Sequence, residues 1–158
     1  MRNALFPEDF FMSIQFRKMD RGDAERVVSM MRTFYASPAV STNGSEEIFL
    51  RDVEECVGDS PLASGYMLLF DGEVAGYAML AFGYSTEFGK RAVWIEDIYV
   101  EEPFRGRGIG TAFLKFVRET FPDSLLRLEV ERENVPAVNA YEKSGFEALP
   151  YIGMIQNG

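Results

Sequence analysis

Residues 103–111 have the sequence Pro-Phe-Arg-Gly-Arg-Gly-Ile-Gly-Thr, and this is the most informative segment of the chain. It follows a strand-like run at residues 92–100 and precedes an apolar pattern with helical spacing. Three glycines in five residues cost backbone entropy, so folding alone would not favour them here. Glycines at the start of a helix leave backbone N–H groups exposed, with no side chain in front of them. The stretch therefore predicts a binding site for a pyrophosphate.

Arg105 and Arg107 add positive charge to this loop, although the chain as a whole carries a net charge of −9. Two better-known phosphate loops can be set aside. The sequence has no Gly-Lys-Ser/Thr of a Walker A loop, and its G-x-G-x-G spacing differs from the G-x-G-x-x-G of dinucleotide folds. The alternative to a phosphate site is a tight turn with two solvated arginines, in which the glycines serve only the turn.

The rest of the chain predicts a single α/β domain built on a mixed sheet. Residues 1–12 lack the basic start and clean apolar run of a signal peptide, and they are predicted to be an N-terminal extension to a domain at 13–158. Apolar periodicity and turn residues give the order β-α-α-β-β-β-α-β-α-β-β. Strands are predicted at 14–17, 66–70, 74–82, 92–100, 125–130, 146–149 and 151–156, and helices begin near residue 23, after Ser45, within 105–110 and at 136, the last ending at 144.

Composition restricts the class of protein and its partners. A chain of 158 residues, 47% of them apolar, is long enough for one hydrophobic core. It contains no histidine, which removes Ser-His-Asp and Cys-His mechanisms and most zinc sites, so no metal is predicted. Its single cysteine, Cys56, lies on an apolar helical stripe; it is predicted to be a core residue and fits a reducing, cytoplasmic location. The net charge disfavours nucleic acid and anionic membranes as partners.

The chain contains three motifs: Asp97-Ile98-Tyr99-Val100-x-x-Pro103, Arg105-x-x-Gly108-x-Gly110 and Asn134-x-x-Ala137-x-x-x-Tyr141-x-x-x-Gly145-Phe146. They resemble motifs of the GCN5-related N-acetyltransferase (GNAT) superfamily, and with the element order the resemblance covers about residues 13–156. The second motif matches the Gln/Arg-x-x-Gly-x-Gly/Ala signature of the family, whose loop binds the pyrophosphate of CoA. The resemblance implies a mostly antiparallel sheet flanked by about four helices, and an enzyme that transfers the acetyl group of acetyl-CoA to an amine.

The resemblance also implies which residues contact acetyl-CoA. A backbone N–H near Val100, where the strand splays from its neighbour, is expected to stabilise the carbonyl oxygen. Tyr141 is expected to protonate the departing thiolate, although a tyrosine on an apolar stripe is by itself typical of a core residue. Asn134 can cap the following helix, and by resemblance its side chain also contacts CoA, so the two roles compete. The expected cofactor-binding residues are Ile98, Val100, Arg105, Gly106, Arg107, Gly108, Ile109, Gly110, Thr111, Asn134 and Tyr141.

The reaction also needs a base, because an alkyl ammonium with a pKa near 10.4 costs about 4.6 kcal/mol to deprotonate at pH 7. The candidates are Glu96 and Asp97, adjacent carboxylates in an otherwise apolar strand. Strict alternation places them on opposite faces, Glu96 with Trp94 and Ile98, and Asp97 with Ile95 and Tyr99. Glu96 is the predicted base, acting through water, with Asp97 ordering the substrate or the water. The alternative for each carboxylate is a structural pairing with an arginine; Glu129 and Glu131 are weaker candidates.

The acceptor amine is less well defined. The segment 94–100 with the glycine loop resembles the spermidine/spermine and thialysine acetyltransferases, in which acidic residues of this strand face a cationic substrate. The first candidate is therefore a small cationic amine, and the acidic net charge agrees in sign. An amino acid, an aminoglycoside, and the amino terminus or a lysine of a protein remain open. The rivals from other classes are a non-catalytic acyl-CoA-binding module and a structural domain; a homodimer is expected by analogy alone.

Overall fold

A computed structural model describes residues 12–42 and 44–158, so the extension predicted at 1–12 lies almost entirely outside the described residues. Five strands form one sheet in the order β1-β2-β3-β4-β5, antiparallel except for the parallel pair β4–β5. This mixed, mostly antiparallel sheet with four helices confirms the predicted fold class. The strands are β1 Ile14–Lys18, β2 Ala63–Phe70, β3 Glu73–Ser85, β4 Lys90–Val100 and β5 Leu125–Leu128, and the α-helices are α1 Ala24–Tyr35, α2 Glu46–Val57, α3 Ile109–Thr120 and α4 Val135–Lys143.

Helices cover both faces of the sheet. The apolar sides of α1 and α2 pack on one face in a core that includes Met31 and Cys56, which confirms the buried cysteine. On the other face α3 inserts Phe113, whose ring lies 5.3 Å from that of Phe16 and 5.7 Å from that of Tyr66. α4 lies on this second side, where Tyr141 packs against the same core. No helix in the described ranges is long and apolar enough to cross a bilayer.

Local capping signals fix most element ends where the sequence predicts them. The Ser45 hydroxyl accepts a hydrogen bond from the Ile48 amide at 3.3 Å and caps α2. Asp71 and Gly72 form the β2–β3 turn with φ values of 50° and 82°, as a two-residue hairpin with positive φ at both positions requires. Gly145, at φ 89°, ends α4.

A β-bulge at Glu96 interrupts the central strand. Leu80 pairs with Ile95 and Met79 pairs with Asp97, so Glu96 is an extra residue on β4. Ile95 consequently belongs to the core beneath α3, whereas Asp97 faces α1 and α2. The predicted sharing of one face by Asp97 and Ile95 is therefore wrong, because one inserted residue reverses the alternation downstream of it.

β4 and β5 separate halfway along β4. Their parallel pairing runs from Ala92–Leu125 to Ile95–Leu128, and β4 continues to Val100 with no described β5 partner. On its other side, β4 stays paired with β3 as far as Val100, opposite Gly76. A Cβ on Gly76 would lie 2.0 Å from the carbonyl oxygen of Tyr99, so only glycine permits this close approach. The part of β4 after Ile95 is therefore paired with β3 on one side and has a free edge on the other.

The two strands predicted at 146–149 and 151–156 are not formed, which corrects the end of the predicted element order. In the second of them the apolar side chains are in solvent: Ile152, Met154 and Ile155 are each more than 80% exposed. In the first, Phe146 packs on the core beside Tyr141. A strand also needs a ladder partner, and within the described residues neither segment has one.

Candidate active site

The free edge of β4 forms one wall of a cavity of about 860 Å³. The loop after β4, the first turn of α3, one side of α4 and the segment following α1 form the other walls. Most of the sequence-predicted cofactor-binding residues meet here, although they come from four separate stretches of chain. The predicted residues that line the cavity are Ile98, Val100, Arg105, Gly106, Gly108, Ile109, Gly110, Thr111, Asn134 and Tyr141.

The loop at the start of α3 presents bare backbone to the cavity. Gly106 and Gly108 have φ values of 74° and 78°, a left-handed conformation that favours glycine. Gly108 is the N-cap of α3, and the described residues provide no side chain that caps this helix. A Cβ on Gly106 or Gly108 would meet no atom within 4 Å, so the space beside both glycines is open. N–H groups of the first turn with open space in front of them are suited to an anion such as a pyrophosphate.

The two loop arginines take different places. The Nε of Arg105 donates a hydrogen bond of 2.9 Å to the carbonyl oxygen of Val100, which ties the loop to the end of β4. Arg105 lines the cavity, where its charge can add to that of the N–H groups. Arg107 does not line the cavity; its guanidinium lies 4.9 Å from the ring centre of Phe70. The sequence predicts that both arginines bind the cofactor, but only Arg105 lines the cavity.

Tyr141 lines the cavity from α4 and is half-buried. Its ring packs edge-on against that of Phe146, at 6.0 Å between the ring centres. Burial raises the pKa of the hydroxyl above its ordinary value of 10.0, so the group is protonated at neutral pH. No protein group among the described residues accepts a hydrogen bond from it. A protonated hydroxyl at a cavity wall can act as a proton donor.

Asn134 precedes α4 and lines the cavity, and its side chain makes no capping hydrogen bond to the described part of that helix. Of the two competing roles that the sequence suggests, the cap is therefore not formed. The side-chain amide is available to a ligand in the cavity.

Glu96 lies in a second, smaller pocket of about 250 Å³, together with Trp94, Ile95 and Glu129. Burial, followed by the neighbouring charges of Asp97 and Glu129, raises the pKa of Glu96. A carboxylate with a raised pKa accepts a proton more readily near neutral pH than an ordinary one. We call this site, lined by Trp94, Ile95, Glu96 and Glu129, the acidic pocket; its charge suits a cationic group.

Asp97 lies in neither space. It is 5% exposed, and its carboxylate oxygens accept hydrogen bonds from the hydroxyls of Tyr35 and Tyr77 at 3.0 and 2.7 Å. The partners are tyrosines, whereas the sequence alternative was an arginine. The structure therefore places the two adjacent carboxylates in different surroundings, and only Glu96 borders open space.

Sequence reasoning missed one wall of the cavity. Phe34 and residues 37–39, at and just after the end of α1, also line it, and Glu133 lines it beside Asn134. In the sequence this stretch shows only the end of a helix at Ser37-Pro38, and no motif marks it as part of a site. Of the weaker candidates, Glu131 lines the cavity and Glu129 lines the acidic pocket.

A substitution at Gly110 tests how the first turn of α3 is packed. It lies inside the first turn of α3 with an ordinary φ, and a Cβ there would lie 3.8 Å from Ile98 Cδ1, an ordinary contact. Because alanine is the better helix former, Gly110→Ala should raise the free energy of unfolding by about 0.5–1 kcal/mol in urea titrations. A loss of stability would show that the first turn of α3 is more crowded than this structure indicates.

The chain matches the model of the Acetyltransferase (GNAT) family over residues 28–146, and it belongs to that family. Thialysine N-epsilon-acetyltransferase of Bos taurus is 42% identical over 79 residues, a region that spans 48% of this chain and 46% of that protein. The chain thus matches about half the length of this relative. The enzyme of the same name from Sus scrofa is 32% identical over 150 residues, which cover 87% of this chain and 86% of the relative.

Solved structures share the fold. The aminoglycoside N-acetyltransferase AAC(6')-Iy in complex with CoA superimposes with a TM-score of 0.77 at 18% identity, covering 97% of this chain and 99% of that one. At this level of identity the similarity establishes the architecture alone.

Proposed function

We propose that this protein transfers the acetyl group of acetyl-CoA to a primary amine by direct attack in a ternary complex, and that the amine is small and cationic. One observation carries the proposal: the glycine loop at the start of α3 lines a cavity of about 860 Å³, and the strand β4 that forms one wall of it also lines the acidic pocket. The loop suits the pyrophosphate of acetyl-CoA, because its N–H groups have open space in front of them. The acidic pocket suits a cation.

We assign one residue to each step of the reaction. Glu96 takes the proton from the ammonium, directly or through water, and frees the lone pair that attacks the thioester carbonyl. As the C–N bond forms, an unpaired N–H on the free edge of β4 near Val100 stabilises the negative charge on the oxygen. The C–S bond then breaks, and Tyr141 gives its hydroxyl proton to the CoA thiolate. The proton that the new amide nitrogen releases returns to the Tyr141 oxygen through water, which restores the hydroxyl. Asp97 has no direct part in this scheme, because it reaches neither space.

The identity of the amine rests on charge and similarity. Glu96 and Glu129 place two carboxylates in one pocket of 250 Å³, enough for the ammonium end of a lysine-like molecule or a polyamine. The similarity to enzymes named for thialysine, a lysine analogue, points the same way. A protein amino terminus or lysine is the alternative acceptor.

A cytoplasmic location and a homodimer stay predictions. The cytoplasmic location fits the buried Cys56 thiol, and the homodimer rests on analogy.

The deciding experiment measures release of the CoA thiol from acetyl-CoA across lysine analogues, polyamines, aminoglycosides, neutral amino acids and short peptides. We expect turnover with amines that carry a second positive charge, and a product heavier by one acetyl group. Turnover with peptides alone would transfer the proposal to protein substrates. Binding of acetyl-CoA without turnover of any amine would favour the acyl-CoA-binding module.

The role of Glu96 predicts a shift in pH dependence. At saturating amine, kcat should fall as the pH drops through the raised pKa of Glu96, because the protonated carboxyl cannot accept a proton. Glu129 contributes to raising that pKa, so Glu129→Gln should lower it and move the acidic limb of the profile to lower pH. Glu119→Gln, an exposed change on the outer side of α3, is the matched control. An unmoved limb in Glu129→Gln would argue against Glu96 as the titrating base.

A further inference from the structure

The buried carboxylate of Asp97 has no part in the chemistry proposed above, and its burial needs an explanation. Taking a carboxylate out of water is costly, and a well-packed apolar residue often serves folding as well or better. Burial raises the pKa of Asp97, while the hydrogen bonds from Tyr77 and Tyr35 oppose that rise. We call these three residues the Tyr35–Asp97–Tyr77 cluster. A hydrogen-bonded group retained in the core can serve to fix one geometry.

The cluster joins the two walls of the cavity. Asp97 immediately precedes residues 98–100, which form the free edge of β4 and line one wall. Tyr35 is the last residue of α1, and residues 37–39, which line another wall, begin two positions later. Tyr77 anchors the carboxylate from β3. One carboxylate group therefore connects the strand wall, through a hydroxyl, to the end of the helix that leads into the other wall.

Hydrogen bonds connect the wall segment 37–39 to the last turn of α1. The amide and hydroxyl of Ser37 both donate to the carbonyl oxygen of Phe34, at 3.0 and 2.6 Å. The amide of Ala39 in turn donates to the hydroxyl of Ser37 at 3.3 Å. The place of this segment is thus set by where the last turn of α1 lies relative to β4.

Apolar packing alone would fix that place less closely. The ring of Phe34 lies 5.6 Å from that of Tyr99 in a tilted contact, which tolerates small displacements along the ring surfaces. Hydrogen bonds are directional, and they weaken steeply when the donor moves off line. The bond from Tyr35 to Asp97 is a directional link at the end of α1. At the start of α1, Arg26 pairs with Glu101, the residue after β4, at 2.6 Å, so the last turn depends on the Tyr35 bond.

We propose that the Tyr35–Asp97–Tyr77 cluster is a positioning device, which holds residues 37–39 at a set distance from residues 98–100 and so determines where the amine meets the acetyl carbonyl. The catalytic part of this inference rests on the proposed acetyl transfer. Asp97 is then a positioning residue and not the base, since its oxygens are directed at two tyrosines. Productive transfer needs reacting atoms about 3–3.5 Å apart, so a small displacement of one wall lowers the rate.

The test compares Tyr35→Phe with Tyr66→Phe, a buried tyrosine on the opposite face whose hydroxyl does not contact Asp97. Three quantities are measured on the whole protein: the Kd of acetyl-CoA, kcat/KM for the amine, and hydrogen exchange of residues 37–40. We expect Tyr35→Phe to lower kcat/KM about tenfold, to leave the Kd within about twofold, and to speed exchange of that segment. Tyr66→Phe should change none of the three. Asp97→Asn should keep more activity than Asp97→Ala, because the amide oxygen can still accept from one tyrosine.

Each outcome decides the proposal. Faster exchange with unchanged kinetics in Tyr35→Phe would show that the cluster only stabilises the fold, and it would overturn the positioning role. Unchanged exchange would overturn the tether itself. If the wild-type protein turns over no amine, the proposed function fails separately. The cluster is then judged on exchange of residues 37–40 with CoA bound: faster exchange in Tyr35→Phe retains the tether, and equal exchange removes it.

Discussion

Replacing Tyr141 with phenylalanine is expected to lower kcat by about 100-fold, the lower end of the usual effect of a positioned general acid. The change removes one oxygen atom and keeps the ring that packs against Phe146. The thiolate must then leave without a proton, or take one from water. Since the hydroxyl contacts no other described protein group, its loss leaves no unpaired partner in the core.

The Kd of acetyl-CoA should stay within about twofold in this variant, because a group that acts in the transition state contributes little to ground-state binding. Pre-steady-state measurement of thiol release, with calorimetry for binding, separates the two quantities. Tyr84→Phe is the control, since Tyr84 is 65% exposed and lies outside the cavity. A wild-type kcat in Tyr141→Phe would assign the proton transfer to water.

Replacing Gly108 with leucine should weaken acetyl-CoA binding by about 100-fold or more, because charge-assisted hydrogen bonds contribute about 1.5–3 kcal/mol each and at least two would be blocked. The side chain would project into the open space beside the first turn of α3, where the pyrophosphate is proposed to lie. Calorimetric titration with acetyl-CoA measures the loss directly.

A leucine at Gly108 also strains the backbone, and the chain offers a matched control for that strain. Gly72 has a φ of 82° against 78° at Gly108, and a Cβ at either position meets nothing within 4 Å. Gly72→Leu in the β2–β3 turn should thus lose a similar stability, about 1–2 kcal/mol, while binding acetyl-CoA normally. Equal affinity for acetyl-CoA in Gly108→Leu and Gly72→Leu would show that the loop does not bind the cofactor.

Local signals explain why much of this fold could be predicted from the sequence. The Asp71-Gly72 turn, the cap at Ser45 and the stop at Gly145 each depend on the conformation of a few neighbouring residues. The glycine loop is predictable for the same reason, because the residues that form it are adjacent in the sequence. The motifs downstream then place Tyr141 and Asn134 on the same cavity as that loop.

The errors arise where structure depends on a distant partner. A bulge at Glu96 is a mismatch between two strands, and nothing in the sequence of β4 alone shows that β3 pairs one residue short. Strict alternation therefore gave Asp97 the wrong neighbours. Alternating apolar residues near Ile152 and Met154 likewise predicted strands, but a strand forms only against a ladder partner, which the described structure does not supply.

In the site, too, the features that depend on distant residues could not be predicted from the sequence. The sequence shows Phe34 only as part of a helix that ends at Ser37-Pro38, and its place in the cavity follows from the packing of α1 against β4, where its ring contacts Tyr99. The hydrogen bonds of Asp97 to Tyr35 and Tyr77 join residues 62 and 20 positions apart, a separation that no local pattern encodes.

The gap between β4 and β5 also has a consequence for the lifetime of the protein. A ligand that fills the gap binds only the folded chain, so it raises the free energy of unfolding by about 2.7 kcal/mol at one hundred times its Kd. With acetyl-CoA as the proposed ligand, proteases that attack opened chains would cleave the protein more slowly in its presence. The break in the sheet would then make resistance to proteolysis depend on the ligand.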